Sequence, residues 1–249
     1  MSNKDKIIEA FKKVKALKWV KSHRSNNTGI GKTFEDVIGV VENNLDEPDL
    51  FGFEIKSHRA ESQSFVTLFT KKPSHPSRGA NACLKNKFGT NYPNSQLKEL
   101  HTSIFANRYN TYKDKYSFRL VHKTEERRVY IEVYTLADHK LLDNTVYYAY
   151  EDIEAALKNK LHNLFYVKAQ QKQDSDKTEL FFFDSAEIYT DPSLERFLKL
   201  LDKGKIMYDI RMGAYQSGKK IGKPHDHGSG FRIRETDFKE LYANHETID

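Results

Sequence analysis

Cysteine is almost absent from this sequence, with Cys83 as the single one among 249 residues. One cysteine cannot form an internal disulfide or build a multi-cysteine metal site, so a reducing cytoplasm is the expected environment. Proline and glycine are also scarce, at 6 and 12 residues, and nothing in the composition is typical of collagenous, coiled-coil or disordered chains. A chain of this length can bury a substantial core, as one large domain or as two lobes.

Long hydrophobic runs are missing as well. The first 21 residues alternate lysines with apolar residues and contain no apolar stretch like that of a signal peptide. The apolar segment Thr178–Asp184 is bounded by charge well before the ~18 residues that a membrane span needs. We therefore expect neither an export signal nor a membrane span.

The charge is nearly balanced, since 41 basic residues face 35 acidic ones and the net charge is +6. This total argues only weakly for a polyanionic partner. The distribution is more informative, because basic residues exceed acidic ones between Lys203 and Arg234. A solvated loop is the plain alternative explanation of that local excess.

Hydrophobic periodicity and turn residues predict a chain of mixed α and β structure. An amphipathic helix is expected within the first 20 residues, and a second helix is expected to begin at an N-cap at Thr33. The runs 50–56 and 64–70 are predicted to be neighbouring strands. Residues 71–94 contain three prolines and are predicted to form a long functional loop.

The segment Gly29–Thr33 suggests a nucleotide-binding loop, because its sequence Gly-Ile-Gly-Lys-Thr ends like a phosphate-binding motif. That motif also requires a glycine where this chain has Asn26 and a hydrophobic strand just upstream, where this chain is polar. ATP or GTP binding is therefore not expected. The glycines are instead expected to allow a loop to approach something closely.

The strongest chemical signal is a set of acids and a lysine around residue 50. On a strand, Glu54 and Lys56 project from one face while Phe53 and Ile55 point into the core, and Asp49 precedes the strand. A helix just upstream carries Glu35 as a third acid. Carboxylates suit Mg²⁺ and a lysine can orient a water, so the set predicts metal-dependent phosphodiester hydrolysis.

A second cluster lies near the C-terminus, where 206–215 and 231–235 are predicted to form a β-hairpin with a long tip. Arginine can bind guanine bidentately, aspartate can accept from the cytosine amino group, and lysines can contact phosphates. A histidine metal site or histidine nuclease is an alternative, as is a loop with incidental charges. The candidate DNA-binding residues are Asp209, Arg211, Lys219, Lys220, Lys223, His225, Asp226, His227 and Arg232.

These motifs together resemble the MvaI/BcnI family of type II restriction endonucleases. The matching blocks occur in the family order and with similar spacing, whereas the middle of the chain, roughly 91 to 201, matches only in general character. The blocks are Asn27–Asp36, Pro48-Asp49 with Phe53–Lys56, Leu68–Lys71, Arg78–Asn81, Asp209–Arg211, His225–Gly228 and Phe231-Arg232.

The resemblance implies an α/β protein with a PD-(D/E)xK nuclease core, a mixed sheet flanked by helices, and a DNA-recognition lobe that forms a cleft. The catalytic lobe is expected over about 1–135 and the recognition lobe over about 136–249. The resemblance further implies a monomeric, Mg²⁺-dependent enzyme of the prokaryotic cytoplasm. It would cut double-stranded DNA at a five-base-pair site of the CC-N-GG type, one strand at a time, beside a cognate DNA methyltransferase.

Carried onto this sequence, the resemblance makes Asp49 and Glu54 metal ligands, Lys56 the water-orienting lysine, and Glu35 the helix-borne acid of the pocket. It makes the acidic, arginine and histidine residues of the C-terminal cluster candidate base readers. Two alternatives stay open. A MutH-type repair nickase would share the nuclease core but cut one strand, and a catalytically silent DNA-binding module would bind without cutting.

Overall fold

The computed structural model describes residues 1–25, 28–40, 47–60 and 62–248; Asn27 of the first motif lies outside these ranges. The described chain combines helices with three β-sheets, so the predicted α/β class is confirmed. No helix within the described residues is long and apolar enough to cross a membrane.

The chain forms two compact units, and each of them is assembled from separate stretches of sequence. Unit 1 comprises Met1–Ser64, Leu157–Ser193 and Phe238–Asp249, and unit 2 comprises Phe65–Ala156 and Leu194–Asp237. Both units therefore contain residues from either side of position 135, where the sequence predicted the division between lobes. The roles assigned to the two lobes stay a prediction.

The helices and strands follow one another in a mixed order. The helices are α1 Asn3–Ala16, α2 Gly29–Ile38, α3 Ala80–Phe88, α4 Tyr150–Asn159, α5 Leu194–Asp202 and α6 Phe238–Leu241. The strands are β1 Trp19–Lys21, β2 Glu54–Arg59, β3 Val66–Phe69, β4 Thr90–Asn91, β5 Lys98–Ile104, β6 Tyr116–Lys123, β7 Arg128–Thr135, β8 Leu141–Ala149, β9 Asn163–Gln173, β10 Glu179–Pro192, β11 Ile206–Ala214, β12 Pro224–Asp226, β13 Gly230–Ile233 and β14 Tyr242–Ile248.

Unit 1 is built on a mixed five-stranded sheet in the order β1-β10-β9-β2, with β14 also paired to β10. β2 runs parallel to β9, and the other pairs are antiparallel. One face of the sheet packs on α1 and α2 around Phe11, Phe34, Ile55 and Phe165, all at most 4% exposed. Burial of these large apolar side chains is the main stabilising term of this unit.

The predicted first helix is confirmed as α1, which Ser2 caps by accepting a hydrogen bond from the backbone N–H of Asp5. The second helix begins earlier than predicted, because Thr28 and not Thr33 stands at its N-terminus. Thr33 is fully buried inside the helix, and its hydroxyl accepts a hydrogen bond from the backbone N–H of His23 at 2.9 Å. A hydrogen bond from the loop before the helix thus replaces the capping role that the sequence suggested.

The predicted pairing of 50–56 with 64–70 is wrong. β2 pairs with β9, which is more than 100 residues away in sequence, and β3 pairs with β13 in the six-stranded sheet of unit 2. Sequence proximity favours hairpins, but here the parallel partner of β2 lies beyond a long insertion. The register places Ile55 opposite Phe165 and Lys56 opposite Tyr166.

Unit 2 contains a six-stranded sheet in the order β3-β13-β11-β5-β4, with β12 paired to β11, and a three-stranded sheet β6-β7-β8. The predicted C-terminal hairpin is confirmed, since β11 pairs with β13 in antiparallel register. The predicted loop over 71–94 is partly wrong, because α3 occupies its centre. Tyr148, Tyr208 and Phe231 form an aromatic cluster in this unit with ring centroids 4.9 to 5.5 Å apart.

Candidate active site and recognition face

A tight turn brings the first acid back to the strand that carries the second. Leu50 and Phe53 exchange backbone hydrogen bonds at 2.9 and 3.1 Å, and the two residues between them, Phe51 and Gly52, have φ values of 51° and 78°. Positive φ at both central positions is typical of the type I′ turn, a common two-residue connection that reverses the chain. As a result Asp49 Oδ2 accepts the backbone N–H of Ile55 at 2.8 Å.

Glu54 and Lys56 project from the face of β2 opposite the apolar core, as the alternation predicted. Lys56 Nζ donates to Glu54 Oε1 at 2.8 Å, and a second lysine, Lys160, places its Nζ 3.8 Å from Glu54 Oε2. The Glu54 side chain is 5% exposed and that of Lys56 is 16% exposed. The nearly buried Glu54 carboxylate therefore has a partly exposed lysine beside each of its oxygens.

Burial raises the pKa of the Glu54 carboxyl above its ordinary value, Lys56 opposes the shift, and nearby Asp49 adds to it. Tyr242 packs against Tyr189 with ring centroids 5.5 Å apart. The pKa of the Tyr242 hydroxyl is also raised, by its complete burial and by the Glu54 charge. The charge of Glu54 therefore interacts with both Asp49 and Tyr242 in unit 1.

The donor set of this site fits a hard divalent cation. Glu54 Oε2 is buried and accepts no hydrogen bond from any residue that the structure describes. A buried carboxylate oxygen without a donor is costly unless a cation satisfies it, and Mg²⁺ prefers carboxylate oxygen and water as ligands. Asp49 and Glu54 could hold such an ion together with waters. No cluster of three or more histidine, cysteine or acidic residues with metal-binding geometry occurs in the described part of the chain.

Glu35 lies on α2, the helix that packs against β2, and its side chain is partly buried. Its backbone carbonyl accepts the N–H groups of Gly39 and Val40 at the end of the helix. The location agrees with an acid carried on a helix beside the strand of Glu54. Its participation in the pocket stays a prediction.

The Gly29–Thr33 segment forms the first turn of α2, and close packing explains the glycine at position 29. A Cβ on Gly29 would lie 2.3 Å from the backbone oxygen of Arg24 and 2.8 Å from Ser22 Oγ. Such distances are far inside van der Waals contact, so only glycine allows this approach of loop and helix.

In unit 2 the candidate base readers converge on one buried carboxylate. Asp209 is 7% exposed, and its Oδ2 lies 2.8 Å from Arg211 Nε and 3.0 Å from Arg232 Nε. Its Oδ1 accepts a hydrogen bond from Ser103 Oγ at 3.0 Å. Arg232 is largely buried and also donates to Thr67 Oγ1, whereas half of the Arg211 side chain is exposed. Arg211 is thus oriented by Asp209 while its guanidinium stays accessible.

Asp226 shapes the tip of the hairpin. Its Oδ1 accepts the backbone N–H groups of Gly228 and Ser229 at 3.0 and 2.7 Å, and its Oδ2 accepts from Asn81 at 3.1 Å. These bonds hold the turn that follows β12. Base reading by Asp226 stays a prediction.

The two histidines of the hairpin belong to an aromatic stack. His225 lies flat on Tyr215 with ring centroids 4.3 Å apart, and its centroid is 4.0 Å from that of His227. Burial, together with His225 and His101, lowers the pKa of His227. The neutral form is therefore favoured at the centre of the stack, and a neutral ring offers one donor and one acceptor.

The three predicted lysines lie on the exposed tip of the hairpin. Lys219 and Lys220 belong to a short 3₁₀ turn, Gly218–Lys220, and Lys223 follows it. Lys220 Nζ lies 5.4 Å from the centroid of the Tyr215 ring. Their exposure agrees with contacts to a polyanion, which stay a prediction for all three.

Sequence reasoning missed the strand that completes this polar face. β5 pairs with β11 so that His101 is opposite Arg211 and Ser103 is opposite Asp209. Both line a cleft of about 660 Å³ in unit 2, which is also lined by Asn110. The alternation of buried Leu100 and Ile104 with polar residues was the available signal for β5. We name the cleft and its bordering hairpin residues the recognition face; its members are His101, Ser103, Asn110, Asp209, Arg211, His225, His227 and Arg232.

A carboxylate paired with a lysine on one strand, beside a second acid, is the arrangement expected of metal-assisted phosphodiester hydrolases with an α/β fold. Comparison with known proteins agrees with this class. The family model of the MvaI/BcnI restriction endonuclease family matches residues 8–242. The chain belongs to the MvaI/BcnI family of restriction endonucleases, and it is a site-specific deoxyribonuclease.

Two solved structures are similar to the chain over nearly its whole length. One is a complex of restriction endonuclease MvaI with its cognate DNA substrate, with a TM-score of 0.89 and 35% identity, covering 98% of this chain and 97% of the other. The second is MvaI in the absence of DNA, with a TM-score of 0.66 and 34% identity, covering 100% and 98%. No curated protein sequence matches the chain.

Proposed function

We propose that this protein is a monomeric type II restriction endonuclease that hydrolyses one phosphodiester bond in each strand of a short CC-N-GG-like site in double-stranded DNA. The products carry 5′-phosphate and 3′-hydroxyl ends, and Mg²⁺ is the required metal. The observation that carries the proposal is the pairing of buried Glu54 with Lys56 at 2.8 Å, with Asp49 returned to the same strand by the turn. Family membership adds the substrate class.

Each residue of the site has a distinct role in the proposed reaction. Asp49 and Glu54 would hold the metal, and Lys56 orients the attacking water through its ammonium group; the Lys56 side chain is 16% exposed. Glu35 supplies a further acid from α2. When bound, Mg²⁺ supplies the positive charge that stabilises the phosphorane-like transition state and the leaving oxygen.

The recognition face supplies the proposed sequence specificity. Arg211 reads a guanine through its accessible guanidinium, while buried Asp209 fixes the orientation of both arginines. The other residues proposed to contact base edges are Arg232, His225, Asp226 and His227. The exposed lysines 219, 220 and 223 contact phosphates, which gives affinity without sequence preference.

Double-stranded DNA is the proposed partner. The similar MvaI structure is described as a complex with a cognate DNA substrate, which supports the same ligand for this chain. A DNA methyltransferase of the same specificity is the proposed companion enzyme, because a host that contains such a nuclease must protect its own sites. No stable complex between the two is implied.

Digestion of a randomised duplex pool in Mg²⁺, followed by sequencing of the ends, tests the proposal. We expect double-strand breaks at one short site by the wild-type protein and by Lys12→Ala, an exposed lysine on α1, but no cleavage by Asp49→Ala or Lys56→Ala. Site-specific cleavage by either of the last two variants would refute the catalytic assignment. Nicks confined to one strand would favour a repair nickase, and retention of DNA without cleavage in any divalent ion would indicate a binding module.

A further inference from the structure

The first residue of β9 is hydrogen-bonded to the turn between the active-site acids. Asn163 Nδ2 donates to the carbonyl oxygen of Gly52 at 3.1 Å, and Leu161, the residue that follows Lys160, is fully buried. Because β9 runs parallel to β2, both strands begin at the same edge of the sheet. Lys160 is thereby held at the edge where Asp49 and Glu54 lie.

Lys160 lies near Glu54 Oε2, the carboxylate oxygen to which Lys56 does not donate. Its Nζ lies 3.8 Å from Oε2, while Lys56 donates to Oε1 at 2.8 Å. The distance of 3.8 Å is beyond a hydrogen bond, and 29% of the Lys160 side chain is exposed. An ammonium that is close to the site but not fully engaged there can turn its other protons toward a ligand.

We propose that Lys160 is a phosphate-binding residue of the active site, whose ammonium contacts a non-bridging oxygen of the phosphodiester group held beside Glu54. This inference rests on the proposed function. A phosphate brought next to the Asp49 and Glu54 carboxylates is repelled by two negative charges. A cation beside Glu54, as Lys160 is at 3.8 Å, attracts both the carboxylate and an incoming phosphate.

The competing explanation is that Lys160 only balances the charge of Glu54 within the protein. A purely internal role would make its removal affect every DNA ligand equally. A phosphate contact makes the effect depend on the charge of one particular phosphate. The two explanations can therefore be separated by changing the DNA as well as the protein.

The experiment combines Lys160→Met with duplexes in which one phosphate at a time is replaced by a neutral methylphosphonate. Methionine keeps the aliphatic stem, Lys160→Arg keeps the charge, and Lys158→Met is the control because Lys158 is exposed on the preceding helix. Affinity is measured by fluorescence anisotropy in EDTA and in Ca²⁺ over a range of salt concentrations. Near-UV circular dichroism confirms that the variants are folded.

We expect Lys160→Met to weaken binding of the native duplex about tenfold, as for loss of one charge-assisted hydrogen bond. The slope of log K against log salt should become shallower by about 0.9. On the duplex with a methylphosphonate at the cleaved position the effect should disappear, while Lys160→Arg and Lys158→Met should bind like the wild type.

A Lys160→Met protein that binds the native duplex as the wild type does would overturn the inference. So would a loss of affinity that is the same on every methylphosphonate duplex. A wild-type protein that neither binds nor cuts duplex DNA would instead refute the proposed function on which the inference rests. The wild type is therefore measured first, before any variant is compared with it.

Discussion

Replacement of Asp209 by alanine should separate the structural role of the recognition face from its role in reading DNA. The change removes the buried carboxylate that pairs with Arg211 at 2.8 Å and with Arg232 at 3.0 Å. Arg232, only 13% exposed, is left without its anionic partner. The Arg211 side chain is 50% exposed, so water can solvate its guanidinium once the carboxylate is lost.

The magnitude follows from these exposures. Removing one partner of a buried ion pair costs about 3–5 kcal/mol, whereas an exposed pair contributes at most about 1 kcal/mol. Arg232 retains its bonds to Thr67 and to the carbonyl of Gly228, which reduces the penalty. We therefore expect Asp209→Ala to lower the free energy of unfolding by about 2–3 kcal/mol. Arg211→Ala should lower it by less than about 1 kcal/mol.

Urea unfolding of the full chain, followed by near- and far-UV circular dichroism, measures these differences, and coincident transitions at both wavelengths check two-state behaviour. Binding to cognate and single-base-variant duplexes is measured in parallel. Arg211→Ala should lose about 1–3 kcal/mol of discrimination at one G·C pair while its stability is retained. Equal stability of Asp209→Ala and Arg211→Ala would refute the view that Asp209 is the buried centre of the arginine cluster.

Two further predictions concern positions outside the proposed catalytic residues. Gly29→Ala should destabilise the protein by about 1–3 kcal/mol because its Cβ would meet the Arg24 carbonyl oxygen at 2.3 Å. Gly31→Ala is the control, since its Cβ has no neighbour closer than 4.0 Å, and its melting temperature should be close to that of the wild type. Equal melting temperatures for the two variants would contradict the packing argument. Burial acts to raise the pKa of Asp143, but hydrogen bonds from Lys87 and Thr145 hold it below its ordinary value, so the stability it contributes is present above about pH 4 and is lost as the pH falls further. The difference in urea midpoint between wild type and Asp143→Asn should therefore shrink between pH 7 and pH 3, and a constant difference would refute this linkage.

Local pattern was sufficient to predict how the side chains of the strand around Glu54 are arranged. Alternation put Glu54 and Lys56 on one face and Phe53 and Ile55 in the core, and the structure confirms both placements. The hairpin formed by β11 and β13 was predicted for the same reason. Alternation and turn residues act over a few positions, so they can be recognised in a single sequence.

Long-range pairing could not be predicted in this way. β2 was assigned to its sequence neighbour, but its partner is β9, and the strand that carries His101 opposite Arg211 was missed. The units are also assembled from separate stretches of chain rather than divided at one position. Such pairings depend on which apolar faces can be buried together, and that choice is made by the whole fold.

The sequence by itself determined the residue types of both sites, the strand that presents Glu54 and Lys56, and the resemblance to the restriction endonuclease family. Only the tertiary structure decided that Asp49 returns to Ile55 through a turn with two positive φ values, and that Lys160 lies 3.8 Å from Glu54. Charge interactions act through space and not along the chain, so a lysine more than 100 residues away can belong to the same site without leaving a local signal.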